Sequence, residues 1–97
     1  MTDIAKSALA YCKAPLPCDL TIRQLALLGL ICDEEGPHQV RDLAMKLGVQ
    51  KPIVTRIVNH FAGVGIAYRV KDPADRRCVH VSPSAHGQAL RNQMGAL

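Results

Sequence analysis

Five side chains that donate or accept hydrogen bonds, Lys51, Thr55, Arg56, Asn59 and His60, fall on the outer face of one predicted helix in this 97-residue chain. Their chemistry is recognition rather than catalysis. Lys51 lies in the first turn, where the helix N-terminus also attracts anions, so its simplest partner is a phosphate. Thr55 can bond a phosphate or touch a thymine methyl, and Arg56 carries the planar fork that pairs bidentately with guanine. Asn59 and His60 come one turn later, within reach of a flanking backbone. A second cluster, Asp75, Arg76 and Arg77, occupies the polar loop Asp72-Pro-Ala-Asp-Arg-Arg77. No Ser/His/Asp set, paired carboxylates or phosphate-cradling glycine loop accompanies these groups, so the chain reads as a non-enzyme. Cys12, Cys18, Cys32 and Cys78 form no CxxC pair, and His38, His60, His80 and His86 are not paired at ligand spacing; no metal and no cofactor are expected.

A helix must present these groups and another must brace it. Val40, Leu43, Ala44 and Leu47 share one face of a helix predicted from about Gln39 to Leu47, and Gly48 suits a left-handed cap. The next helix is predicted over 51–62, with Pro52 in its first turn and Gly63 and Gly65 ending it. Val54, Ile57, Val58 and Phe61 recur at i, i+3, i+4, i+7 and form its inward face. Two such helices around a tight turn make a helix-turn-helix, whose second helix enters a DNA major groove. Ile53 is exposed by the same count, with a thymine methyl or the preceding helix as its two candidate partners.

The rest of the chain supports that pair. Thr21-Ile-Arg-Gln24 is a capping box opening a helix to about Asp33. Ile22, Leu25, Leu28, Ile31 and Cys32 recur at helical spacing, and Leu27 and Leu30 widen the stripe, which predicts a largely buried helix stopped by Gly36-Pro37. Residues 2–13 carry a weaker stripe (Ile4, Ala8, Leu9 and Tyr11 or Cys12) before Pro15 and Pro17 break the chain. After Gly65 the period changes to 2: Ile66–Lys71 and Arg77–Ser82 alternate as strands around the proline-bearing loop. Ser84 can cap a last helix with Ala85, Ala89 and Leu90 inward. Met45 is expected in the packing near the helix-turn-helix, and His80 and His86 at the surface or half-buried. The order helix–helix–helix–hairpin–helix predicts a mainly α fold with a small β-hairpin: a winged helix-turn-helix, three core helices plus a β wing. Its length suits a single domain, 1–97, with an extension over 1–19, core and wing over 20–82 and a C-terminal helix over 83–97.

Composition narrows the partner. Hydrophobic residues make up 48% and charged ones 21%, a globular balance. Tyr11, Phe61 and Tyr68 are the only aromatics, too few for the stacking platforms that bind single strands. The formal charge is +4, split as −2 over residues 1–37, +5 over 38–82 and +1 over 83–97. Positive charge thus collects on the helix-turn-helix and wing, as a polyanion requires. Met1 is followed by Asp3 and no continuous apolar run, so no signal peptide or membrane span is expected and the setting is read as cytoplasmic, with reduced thiols.

From Leu20 to Leu90 the chain resembles the DNA-binding domain of MarR-type transcription regulators. The matching pieces are LTIRQLALLGLI, GPHQVRDLAMKLGVQKPIVTRIVNHF and GIAYRVKDPADRRCVHVSPSAHG. The DPADRR loop followed by alternating valines is the most specific of them. The resemblance implies that Asp75 orients Arg77, two positions on, into a minor groove, where a narrow A·T-rich groove concentrates negative potential. Arg76 would then meet a phosphate. Gln50 stands where a Ser is common, His38 where a Thr or Ser cap is common, and Pro83-Ser84 where Leu-Thr is frequent. Family members are usually longer, with helices at both ends that interlock two subunits. Fourteen residues precede Pro15 here, and the chain stops soon after its last short helix. The long C-terminal dimerisation helix, and with it the usual effector pocket, is therefore expected to be missing.

These readings converge on sequence-specific binding of double-stranded DNA for transcription regulation. Helix 51–62 would lie in the major groove and wing 72–77 in the minor groove. The DNA-facing set is Gln50, Lys51, Ile53, Thr55, Arg56, Asn59, His60, Asp75, Arg76 and Arg77. Two half-sites need two copies, so either a homodimer through the first fourteen residues and the last helix or a partner regulator is expected. The alternative is a winged-helix protein-interaction module acting with a partner regulator, without DNA readout. A thiol redox sensor rests on the cysteines alone: Cys12 and Cys18 could meet across the proline segment, and Cys78 stands apart.

Overall fold

In the computed structural model, Thr21 opens the first core helix through a full capping box: the Gln24 amide donates to Thr21 Oγ1 at 3.2 Å, and the Thr21 amide to Gln24 Oε1 at 2.9 Å. The structure describes residues 3–13, 19–75 and 77–95, with the side chains at positions 4, 7, 11, 94 and 95 left outside that description. Five helices and a three-stranded antiparallel sheet follow one another as α1 (Asp3–Lys13), α2 (Ile22–Asp33), β1 (His38–Gln39), α3 (Val40–Leu47), α4 (Lys51–Val64), β2 (Ala67–Lys71), β3 (Val79–Pro83) and α5 (Ala85–Gly95). This is the winged-helix architecture that the element order predicts.

The core forms where α2, α3 and α4 bring their apolar stripes together. Leu27, Leu28 and Ile31 of α2, Leu43 and Ala44 of α3, and Val54, Ile57, Val58 and Phe61 of α4 are buried, joined by Ile66, Val81 and Leu90. Every inward residue predicted for α4 is thus in the core. Gly48 adopts φ 72°, ψ 32°, the left-handed cap that lets α3 stop and the chain turn into α4.

Several expectations change. Ile22 is 85% exposed, because it is the first residue of α2 and points past the core that Leu27 and Leu28 reach. Met45 is 75% exposed on the outer side of α3 rather than packed. Helix α2 ends at Asp33 as expected, with an extended Glu34 ahead of Gly36 and Pro37. Helix α4 runs to Val64, two residues beyond 62: Gly63 stays helical, and Gly65, at φ 76°, is the cap. On α5, Leu90 is buried but Ala85 and Ala89 are exposed. The inward position is instead Gly87, where a Cβ would stand 2.1 Å from the Ile66 carbonyl oxygen. The proline segment, with Cys18, lies outside the described residues.

The wing holds a strand that the alternation pattern did not reveal. The sheet order is β1-β3-β2, with His38 paired to Val81 and Gln39 to His80. A two-residue strand is too short to show a period. His38 is 6% exposed, and its Nε2–H donates to the Glu34 carbonyl at 3.0 Å, so it works as a buried brace between the end of α2 and the sheet, not as a helix cap. Ser84 closes the other end as predicted: its Oγ accepts from the Gly87 amide at 3.0 Å and lies 2.6 Å and 2.9 Å from the Gly65 and Ile66 carbonyls.

Candidate nucleic-acid interface

Helix α4 buries one face and must expose the other. Lys51, Thr55, Arg56 and Asn59 are exposed there, and Gln50 is the exposed N-cap residue, with no side-chain cap bond. His60 is half-buried, its ring centroid 6.4 Å from that of Phe61. Ile53 is half-buried against the core, so packing wins over the exposure counted from the sequence.

The wing tip is an organised turn. The Ala74 amide donates to Asp72 Oδ1 at 2.8 Å, and the Arg77 amide to Asp75 Oδ1 at 3.0 Å. The same Asp75 oxygen lies 3.6 Å from Arg77 Nε, so the Asp–Arg spacing does bring the two together, with the Arg77 side chain 94% exposed. The pair is solvent-facing and worth little as an ion pair; its consequence is that the guanidinium is aimed outward. At the base of the wing His80 Nε2 lies 3.2 Å from Asp72 Oδ2, while the buried His80 Nδ1 has no partner among the described residues. The Ala74 amide first, then His80, holds the Asp72 carboxyl below its ordinary value. Arg76 lies outside the described residues.

A cleft of about 240 Å³ joins helix and wing. It is lined by Gln39, Val40 and Arg41 at the start of α3, Lys51 at the start of α4, and Arg77, Cys78 and Val79 of the wing. Three cationic side chains from three elements therefore border one concavity. An anion there would meet converging positive charge and the first turn of α4.

Two basic residues, one lining this cleft and one beside α4, escape sequence reasoning. Arg41 follows Val40 at the start of α3 and reads as ordinary solvated surface until the fold brings the wing across it. Arg69 sits on β2, with its Nη2 donating to Asn59 Oδ1 and lying 3.5 Å from the Thr55 carbonyl. The one available signal was its register. In β2, Arg69 shares a face with the buried Ala67, the face that turns it to α4, while its side chain stays exposed.

Cys32 and Cys78 are not activated thiols. Burial and then Asp33 push Cys32 up to about 11, and burial followed by Asp75 raises Cys78. Both shifts keep the thiol protonated at neutral pH, the opposite of an activated thiolate. Among the described residues no group of His, Cys, Asp or Glu is arranged to hold a metal, and no helix is long and apolar enough to cross a membrane.

A family model described as MarR family matches residues 20–79. No curated protein matches the chain. Among solved structures, Rv1404 from Mycobacterium tuberculosis superposes with a TM-score of 0.83 at 26% identity, over 95% of this chain and 60% of its own. The transcriptional regulator Tm0710 from Thermotoga maritima gives 0.71 at 32% identity, over 76% of this chain and 51% of its own. The S. aureus MepR–DNA complex gives 0.77 at 18% identity, over 97% of this chain and 71% of that one, a likeness of fold alone. This chain thus spans 60% of the length of Rv1404 and about half that of Tm0710. With most of its length matched by the family model and its fold shared with these proteins, the chain belongs to the MarR family of transcription regulators.

Proposed function

We propose that this protein binds duplex DNA sequence-specifically, with α4 in the major groove and the wing loop, residues 72–77, in the adjacent minor groove. The observation that carries this reading is the shared cleft: Lys51 at the start of α4 and Arg77 of the wing border it together with Arg41. Two elements that would enter neighbouring grooves are charged on the same side. A protein of this fold, S. aureus MepR, has been crystallised with DNA. In this chain Lys51, Arg41 and Arg77 would contact phosphate or the minor groove, and Arg56, exposed on α4, would read a base edge. Gln50, Thr55, Asn59 and His60 would complete the major-groove surface, and Asp75 would orient Arg77. One winged helix covers about one half-site, so specific binding calls for a second copy or a partner regulator.

Selection of bound duplexes from a random pool tests this. Wild type should enrich one motif or a near-palindrome of it. Arg56→Ala should lower affinity for the enriched site by about 1–3 kcal/mol and flatten one base position. Identical pools from wild type and Arg56→Ala would remove Arg56 as the reader. Failure to retain any duplex at low salt would instead favour a protein-docking winged helix.

A further inference from the structure

Arg69 and Asn59 meet on the exposed side of α4, although one belongs to a strand and the other to the helix. A guanidinium has donors and no acceptor, so the amide atom facing Arg69 is the Asn59 oxygen. The same Arg69 nitrogen reaches the Thr55 carbonyl, one helical turn earlier, at 3.5 Å. Asn59 is therefore held by a cation lying along its own helix.

This changes what Asn59 can read. A free asparagine amide recognises adenine by accepting from N6 and donating to N7 at once. That pairing needs the amide oxygen. Arg69 takes one of the two lone pairs of that oxygen and fixes the rotation of the amide, which leaves the Asn59 N–H groups as its free donors, and donation from a charged partner polarises the amide and strengthens them. Guanine, with N7 and O6, and thymine, with O4, present acceptors where adenine presents a donor beside its N7.

We propose that Arg69 is a positioning residue that fixes the polarity of Asn59, so that this point of the recognition helix presents its donors, selects guanine and discriminates against adenine. The inference rests on α4 being the DNA-facing helix.

The test compares wild type, Arg69→Met, Asn59→Ala and the double variant by selection from a random duplex pool. Arg69 is exposed, so thermal melting followed by circular dichroism should leave all four folded. Wild type should show a G·C pair at one position, because a thymine preference would bring adenine on the opposite strand, and Asn59→Ala should lose that preference. Arg69→Met should move the same base pair toward adenine by roughly fivefold or more, the lower end of what a bidentate amide–adenine pair contributes. In the Asn59→Ala background Arg69→Met should change nothing at that position, because the effect passes through the amide.

Three results would overturn the proposal while leaving DNA binding intact. These are an A·T pair at that position in the wild-type pool, an unchanged pool for Asn59→Ala, or an Arg69→Met variant that weakens all sequences alike without moving any base preference. No binding by wild type would overturn the DNA reading itself, and this inference with it.

Discussion

Phe61→Ala lowers the unfolding free energy by about 3–5 kcal/mol, the cost of emptying a large core site. Phe61 is fully buried at 0% exposure on the inward face of α4, and it is the chain's one phenylalanine. It shares the core with Leu27 and Leu28 of α2 and with Leu43 of α3. Domains of this kind hold roughly 5–15 kcal/mol in total, so a loss of that size is a large part of the whole. Urea denaturation should show the drop in midpoint. Phe61→Leu, which keeps most of the volume, should cost under about 1.5 kcal/mol. The link to function is mechanical: the face that Phe61 anchors fixes the azimuth at which Arg56 and Asn59 leave the opposite side. If Phe61→Ala melted like wild type, the core described above would be wrong at its centre.

Gly87→Ala carries the second large effect, and its sign is set by a contest. Inside a helix, alanine is favoured over glycine by about 1 kcal/mol, so the substitution should stabilise α5 on propensity alone. Against this, the new Cβ would stand 2.1 Å from the Ile66 carbonyl oxygen, and that atom is backbone. The Ile66 oxygen also accepts from the Ser84 amide at 2.9 Å, so the chain cannot yield there without losing a bond that closes the sheet onto α5. The clash wins, and we expect a net loss of about 2–3 kcal/mol, in the range of overpacked cores. Gly63→Ala is the control. It is also helical, but nothing lies within 4 Å of its Cβ site, so it should be neutral or stabilising. A stable Gly87→Ala would mean that α5 sits further from Ile66 than described.

How legible the sequence was follows from range. Local signals carried through: Thr21 and Gln24 form the capping box, Gly48 the left-handed cap, and Val54, Ile57, Val58 and Phe61 the buried stripe. These depend on neighbours a turn or less away. The misses depend on distant partners. Ile22 fits an apolar stripe by spacing and Met45 belongs to the helix-turn-helix segment, yet among the described residues nothing covers either side chain. His38 looked like a weak cap but is buried by pairing with Val81, forty-three positions on. Nothing local marks Gly87; its close approach to the Ile66 carbonyl comes from the chain just before β2, which folds against α5. In the candidate site, the outer face of α4 was readable from spacing, and the Asp75–Arg77 pair from the resemblance to MarR-type regulators. Arg41 and Arg69 were not, because what makes each of them part of the surface is the strand or loop that folds across it.

The most direct measurement is the salt dependence of duplex binding for wild type, Lys51→Ala, Arg77→Ala and the double variant. Each cation that neutralises a phosphate contributes close to one to the slope of log affinity against log salt. Each single variant should therefore lower the slope by about one and the double by about two, on the same duplex. A wild-type slope near zero, or variants that leave it unchanged, would contradict a helix and wing laid together along DNA.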